Sequence, residues 1–180
     1  MVRGLRSQWE GRHLDVTGAG NEGAAVCDVV VVATPWEAAL ATVRPLEAQL
    51  EGKVVVSVAN ALVKQGREMH ALVPPRGSMS AALQAELPRS LVAAAGQHLP
   101  AALLEDLDHA LGADVLVCSD HEEATRRTVE LIGSIEGLRP LEAGSLASAA
   151  PIEAFTAVLV TVNIRYKAHS SLHLTGLEHP

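Results

Sequence analysis

The sequence predicts an α/β fold, a doubly wound and mainly parallel sheet, and three observations carry that prediction. Strand-like and helix-like segments alternate along the chain, the pattern of a sheet covered by helices on both faces. The strand-like segments are continuous aliphatic runs without polar alternation, led by Cys27-Asp28-Val29-Val30-Val31-Val32, and such runs mark strands buried on both sides. Hydrophobic residues make up 48% of the chain and aromatic ones only 2%, so the core is packed from Val, Leu, Ala and Ile rather than from rings.

Taken in order, Leu14 to Thr17 reads as a short strand and Asn21 to Val26 as a short helix ahead of the valine strand. Glu37 to Leu50 is a helix because Leu40, Val43, Leu46 and Leu50 recur at helical spacing, with Pro45 breaking or kinking it. Lys53 to Ala59 is a second buried strand. Pro74-Pro75-Arg76-Gly77-Ser78 is a loop, followed by a helix from Ser80 to Glu86 with Ser78 or Ser80 as its cap. Ser90 to Ala95 and Asp114 to Ser119 are further strands, the latter leading into a helix from Glu122 to Ile135. The last helix starts near Pro151, a residue suited to a first helical turn, and runs through Val158, Val162 and Ile164 to about His169.

The 180 residues suit one compact domain or one domain with a small appendage. A net charge of -7 argues against general affinity for nucleic acid or anionic membranes. Met1 to Arg6 is too short and too charged for a signal peptide, and no apolar run approaches the roughly 20 residues of a membrane span. Cys27 and Cys118 fall in or beside apolar strands and read as two buried thiols, which makes a reducing cytoplasm the expected compartment.

Gly18-Ala19-Gly20-Asn21-Glu22-Gly23 matches the dinucleotide fingerprint G-x-G-x-x-G letter for letter. That fingerprint works only when a buried strand delivers it and a substantial helix leaves it. Trp9-Glu10-Gly11-Arg12-His13 is too polar for the strand, and the residues between Gly23 and the valine strand are too few for a crossover helix. The segment reads as a turn feeding a short helix. The end of the valine strand is more telling. Ala33-Thr34-Pro35-Trp36 supplies a small residue, a hydroxyl, a rigid proline and a flat indole, at the kind of strand end where open α/β sheets bind their ligands.

Several motifs then agree in order and spacing. Asn21 to Asp28 with the valine strand and Thr34-Pro35-Trp36-Glu37, the turn Gln97-His98-Leu99-Pro100-Ala101, the segment Gly137-Leu138-Arg139-Pro140-Leu141-Glu142-Ala143-Gly144, and Asn163 to His169 with Thr175-Gly176-Leu177 together resemble the NADPH-dependent deazaflavin reductases, the coenzyme F-420:NADP oxidoreductases. The resemblance covers nearly the whole chain. It implies a Rossmann-like, doubly wound and mainly parallel sheet in an NADP-binding domain of residues 1–150, and a helix and tail of residues 151–180 for packing or dimerisation. It also implies a sheet missing its first strand, since the family opens with a strand, a Gly-rich phosphate loop and a helix that are not found ahead of Val2-Arg3-Gly4-Leu5-Arg6-Ser7. The expectation is a start codon lying upstream or a fragment, an unpaired inner edge on the valine strand, and weak or no NADP binding by the chain as written.

What the family does would here be hydride transfer between NADP(H) and an 8-hydroxy-5-deazaflavin, coenzyme F-420, with no residue acting as nucleophile or metal ligand. Arg6 and Ser7 would grip the 2′-phosphate. Thr34, Pro35 and Trp36 would border the NADP side, with Val58, Ala59 and Asn60 as a wall. Gln97, His98, Leu99 and Pro100 would face the deazaflavin, His98 either bonding the ring or capping the turn structurally. Small-molecule cofactors and a homodimer are the implied partners. Two other readings stay open: a non-catalytic, dimerising remnant, and an NADP-dependent reductase of another ring. Asp120-His121-Glu122-Glu123 reads as a helix start, His169 and His173 as surface residues, and the apolar face of Phe155, Val158, Leu159 and Val162 as packing for a core or a second copy.

Overall fold

The computed structural model describes residues 15–105 and 110–177. A one-turn helix α1 (Asn21–Ala24) leads to β1 (Val29–Val32), and α2 (Trp36–Val43) returns the chain to β2 (Val54–Ser57). A hairpin of β3 (Leu62–Gln65) and β4 (Glu68–Ala71) precedes α3 (Met79–Glu86), β5 (Leu91–Ala94) and a single turn α4 (Ala101–Leu104). Then come β6 (Ala113–Ser119), α5 (Glu122–Gly133), β7 (Leu138–Glu142) and the long α6 (Ala149–Tyr166).

The main sheet has the order β1-β2-β5-β6-β7. β1, β2 and β5 are parallel, with Val29 beside Val54 and Val54 beside Leu91. β6 joins β5 antiparallel, and β7 lies parallel to β6. The sheet is covered on both faces, as alternation along β2 makes plain. Val55 packs with Val43, Leu83 and Ile152 on one side, while Val54 and Val56 pack with Ala124 and Ile132 of α5 on the other. The α/β, doubly wound, mainly parallel architecture is therefore the one the sequence predicts.

Some elements differ from expectation for identifiable reasons. The valine strand β1 is not buried on both faces: Val31 is 47% exposed, because among the described residues β1 is the outermost strand and pairs only with β2. The helix expected to reach Leu50 ends at Val43 and continues as a 3₁₀ turn over Arg44–Leu46, since Pro45 has no N–H for the helical ladder. Asp15 to Thr17 form no strand, and Leu14 lies outside the described residues. α6 stops at Tyr166, short of His169, where Lys167 turns left-handed at φ 54°. There Asn163 Oδ1 accepts from Ser170 N at 2.7 Å and Ser170 Oγ at 2.6 Å, ending the helix and starting the tail.

Three strands, β3, β4 and β7, have no counterpart in the sequence reading. The β3–β4 hairpin turns at Gly66, held at φ 61°, and leans on α6, where Thr161 Oγ1 accepts from Met69 N at 2.8 Å. β7 contains Pro140, a residue that argues against a central strand but fits an outer one, where the absent N–H can face away from the ladder.

Glu153 anchors α6 to the domain. Its buried carboxylate accepts from Met79 N at 2.7 Å, Ser80 N at 3.1 Å and Ser80 Oγ at 2.8 Å, at the start of α3. Ser78 completes that cap by accepting from Ala81 N at 3.0 Å. Burial raises the Glu153 carboxyl above its ordinary range in spite of the three donors. Contrary to the sequence expectation, the 21 residues Leu146–Tyr166 are long and apolar enough to cross a membrane by length and composition.

Both cysteines are free, but Cys27 is exposed rather than buried. Burial, followed by the nearby Glu153 and Asp120 carboxylates, pushes the Cys118 thiol up to about 11, so it stays protonated at neutral pH. A thiol reagent should therefore modify Cys27 alone in the native protein and reach Cys118 only after denaturation. Equal labelling of both under native conditions would contradict this packing.

Candidate functional site

Three parallel strands, β1, β2 and β5, end at the same edge of the sheet, and main-chain bonds hold their tips together. Val58 N donates to Val32 O at 3.4 Å and Ala95 N to Ser57 O at 3.1 Å. Beyond the strands, Asn60 Nδ2 donates to Gln97 O at 2.8 Å, and Thr156 Oγ1 of α6 reaches the same oxygen at 3.3 Å. The turn leaving β5 begins at Gly96, whose φ of 76° suits glycine, and it closes with Leu99 N donating to Gly96 O at 3.1 Å.

Every residue picked out from the sequence, Arg6 and Ser7 excepted, has a definite place. Thr34 is half-buried and Pro35 exposed, at the entrance to α2. Trp36 is half-buried and packed against the aliphatic core. Ala59 belongs to that core and Asn60 stands half-buried beside Gln97. Gln97 and His98 are buried, and Leu99 and Pro100 half-buried. Arg6 and Ser7 lie outside the described residues.

The electrostatics of this edge are unusual. Buried polar atoms in folded proteins nearly always have hydrogen-bond partners. Here Thr34 Oγ1, Ser57 Oγ, Asn60 Oδ1, both amide atoms of Gln97 and Nδ1 of His98 are buried without one, and the single other case among the described residues is Thr128 on α5. Unmet hydrogen-bonding capacity is thus concentrated at the carboxyl ends of β1, β2 and β5. It is uncharged capacity: amides, hydroxyls and one imidazole. Burial lowers the His98 pKa. With a carbonyl as partner, Nε2 must be the donor, to Asp114 O at 3.0 Å, which leaves Nδ1 as an acceptor. The imidazole is thereby tied to β6.

Sequence reasoning missed the charged half of this edge. Because β6 runs against β5, its amino end lies beside the Gln97–Pro100 turn. Arg139 Nε and Nη2 there bond Asp114 Oδ1 and Oδ2, each at 2.7 Å. The tail crosses the pair: Leu174 N donates to Asp114 Oδ2, and Leu174 O accepts from Arg139 Nη2 at 2.7 Å. The Arg139 guanidinium holds the Asp114 carboxyl below its usual range. The available signal was an aspartate set in the apolar run Ala113-Asp114-Val115, since a carboxylate in a buried strand requires a cation.

The remaining motifs are structural. Gly18 to Gly20 form an open segment that ends with Gly20 extended and leads into the one-turn α1, so the expected short helix is present but no turn precedes it. Asp120 Oδ1 accepts from Leu146 N at 3.0 Å, and Glu122 and Glu123 occupy the first turn of α5. Among the described residues no three His, Cys, Asp or Glu side chains gather as a metal site.

Comparison with known proteins points the same way. Residues 4–61 match the family described as NADP oxidoreductase, coenzyme F420-dependent. An F420-dependent NADP reductase of Methanocaldococcus jannaschii is 37% identical over 172 residues, spanning 93% of this chain and 77% of that protein. A reductase of the same description from Methanothermobacter thermautotrophicus is 31% identical over 170 residues, 91% of this chain and 73% of that one. Among solved structures, a candidate F420-dependent NADP reductase of Arthrobacter sp. FB24 shares the fold with a TM-score of 0.74 at 20% identity, covering 84% of this chain and 70% of that one. A hypothetical protein of Sinorhizobium meliloti does so with a TM-score of 0.66 at 23% identity, covering 86% and 73%.

The Asn60–Gln97 bond gives the edge a direct test. Asn60→Ala removes one partly buried hydrogen bond between the two tips and should lower unfolding stability by about 1 kcal/mol, read from urea denaturation. An unchanged midpoint would mean that the tips are not held this way.

Proposed function

This chain belongs to the coenzyme F420-dependent NADP oxidoreductase family, and from that premise we propose that it transfers a hydride between NADP(H) and an 8-hydroxy-5-deazaflavin at the carboxyl edge of β1, β2 and β5. The observation that carries this reading is the cluster of buried, unpartnered and uncharged polar atoms at that edge. It fits planar heterocycles whose rims offer carbonyls and N–H groups. When both rings are bound, they supply the chemistry themselves, a hydride moving directly between the nicotinamide and the deazaflavin.

The chain's part is orientation. Thr34 and Pro35, at the exposed mouth of α2, border the nicotinamide side, with Trp36 backing them from the core. Ala59 and Asn60 form the wall between the two rings' sites. The turn Gln97–Pro100 faces the deazaflavin: the Gln97 amide offers a donor and an acceptor in one plane, and Leu99 and Pro100 give apolar surface. Arg6 and Ser7 take the 2′-phosphate, following the resemblance. None of the described residues in this set carries a charge at neutral pH, His98 being kept neutral by burial. They can hold rings in place without exchanging protons with them. Residues 1–150 form the nucleotide-binding part, and 151–180 the part that packs and dimerises.

The partner for that last part is a second copy. On the outer face of α6, Phe155 is 43%, Val158 54% and Tyr166 73% exposed. A groove beside β4 is lined by Met69, Val158, Thr161 and Val162, with an ion pair of Arg165 and Glu68 at 3.6 Å on its rim. An isologous pairing of two α6 helices covers this apolar strip in each copy. A cytoplasmic location accords with two free thiols.

An absorbance assay at saturating NADPH tests the activity. The deazaflavin band should fall in step with the nicotinamide band, FMN should not be reduced, and Gln97→Ala should raise KM for the deazaflavin about tenfold, the worth of one or two hydrogen bonds. No deazaflavin reduction, or equal use of FMN, would contradict the reading. Light scattering tests the assembly: the native chain should have twice the monomer mass and Val158→Glu the monomer mass, whereas a monomeric native chain would rule the pairing out.

A further inference from the structure

We propose that Asp114 is a positioning residue, which locks the Gln97–Pro100 turn and the carboxyl-terminal tail into one unit and so sets the deazaflavin half of the site. The proposal rests on the reading above, that this turn faces the second ring. Its basis is how β5 and β6 part company. They pair only through Ala93 with Ser119 and Ala94 with Cys118. The amino half of β6 then continues past the end of β5 with its inner side open. Ala113 N donates to Gly137 O toward β7, so alternation along the strand turns both backbone groups of Asp114 toward the vacated side.

Both groups are used there. The carbonyl accepts from His98 Nε2 at 3.0 Å, and the N–H donates to Leu172 O at 2.8 Å. A side chain from the turn and an extended piece of tail thus replace the missing ladder. The Asp114 side chain, 1% exposed, fixes the arrangement through its two bonds to Arg139 and the one from Leu174 N. A two-point guanidinium–carboxylate pair is directional, and removing Arg139 leaves the buried Asp114 carboxylate with only the exposed imidazole of His173, whose Nδ1 stands 3.8 Å from Oδ1, beside it. The turn is consequently gripped from both ends. Asn60 and Thr156 hold the Gln97 carbonyl, and Asp114 holds the next side chain. Loss of the Arg139 anchor frees the tail and the His98 side of this grip, while leaving the tips of β1 and β2 untouched.

Arg139→Met, with Arg139→Lys as the charge-preserving control, separates this role from simple stabilisation. For Arg139→Met we expect KM for the deazaflavin to rise about fivefold or more, comparable to one lost hydrogen bond. KM for NADPH and kcat should stay within about twofold. The His98 Nε2–H resonance, observed in ¹⁵N-histidine-labelled full-length protein, should broaden through exchange with water, and Arg139→Lys should recover part of both effects. A folded Arg139→Met protein that melts earlier yet keeps its deazaflavin KM and a sharp His98 resonance would overturn the proposal. If Arg139→Met does not fold, Arg139→Lys decides by the same two readouts. If the native chain reduces no deazaflavin, the functional reading fails instead, and the His98 resonance alone still decides whether Arg139 governs the turn.

Discussion

Because β6 runs against β5, the sheet edge where β1, β2 and β5 end also receives the start of β6, and with it the Asp114–Arg139 pair. In a wholly parallel sheet that edge would present strand ends alone. Here one antiparallel step puts the uncharged Gln97–Pro100 turn next to a fully paired buried charge. His98 bridges the two, donating across the gap that opens where the β5–β6 ladder stops. The edge is therefore shaped by two opposite treatments of polar groups: saturation at Asp114 and deficit at Thr34, Asn60 and Gln97.

That contrast has energetic meaning. A buried polar atom without a partner costs roughly 1–3 kcal/mol, and a fold tolerates several together only where something else offsets them. The saturated groups nearby supply rigidity. Glu153 ties α6 to the start of α3 through three hydrogen bonds, and from the same helix Thr156 reaches the Gln97 carbonyl. The tail, anchored on Asp114 and Arg139, closes the other flank. A site whose task is to keep two flat rings at reacting distance needs this kind of fixed frame more than it needs reactive side chains.

Much of this was legible in the residues. Continuous aliphatic runs located β2, β5 and β6, Ser78 announced the cap of α3, and Pro151 sits in the first turn of α6. The strand ends that the motifs marked for binding do lie side by side. What escaped was decided by partners distant in sequence. The β3–β4 hairpin has almost no buried face of its own and depends on α6. β7 hides behind Pro140, which is acceptable only because the strand is outermost among the described residues. Val31 looked as buried as its neighbours, but burial depends on a strand's place in the sheet, which local pattern does not encode. The union of Asp114 with Arg139 and Leu174 spans up to 60 positions, beyond the reach of any periodicity.

If a hydride passes at this edge, its two ring carriers rest on the tips following β1, β2 and β5. Hydrogen–deuterium exchange of the full chain, with and without NADPH and the deazaflavin together, tests it most directly. Protection on adding both should concentrate in the peptides covering residues 33–36, 58–61 and 96–100, and removing the deazaflavin alone should release the last of these. Protection confined to the groove between α6 and β4, or absent from all three tips, would contradict it.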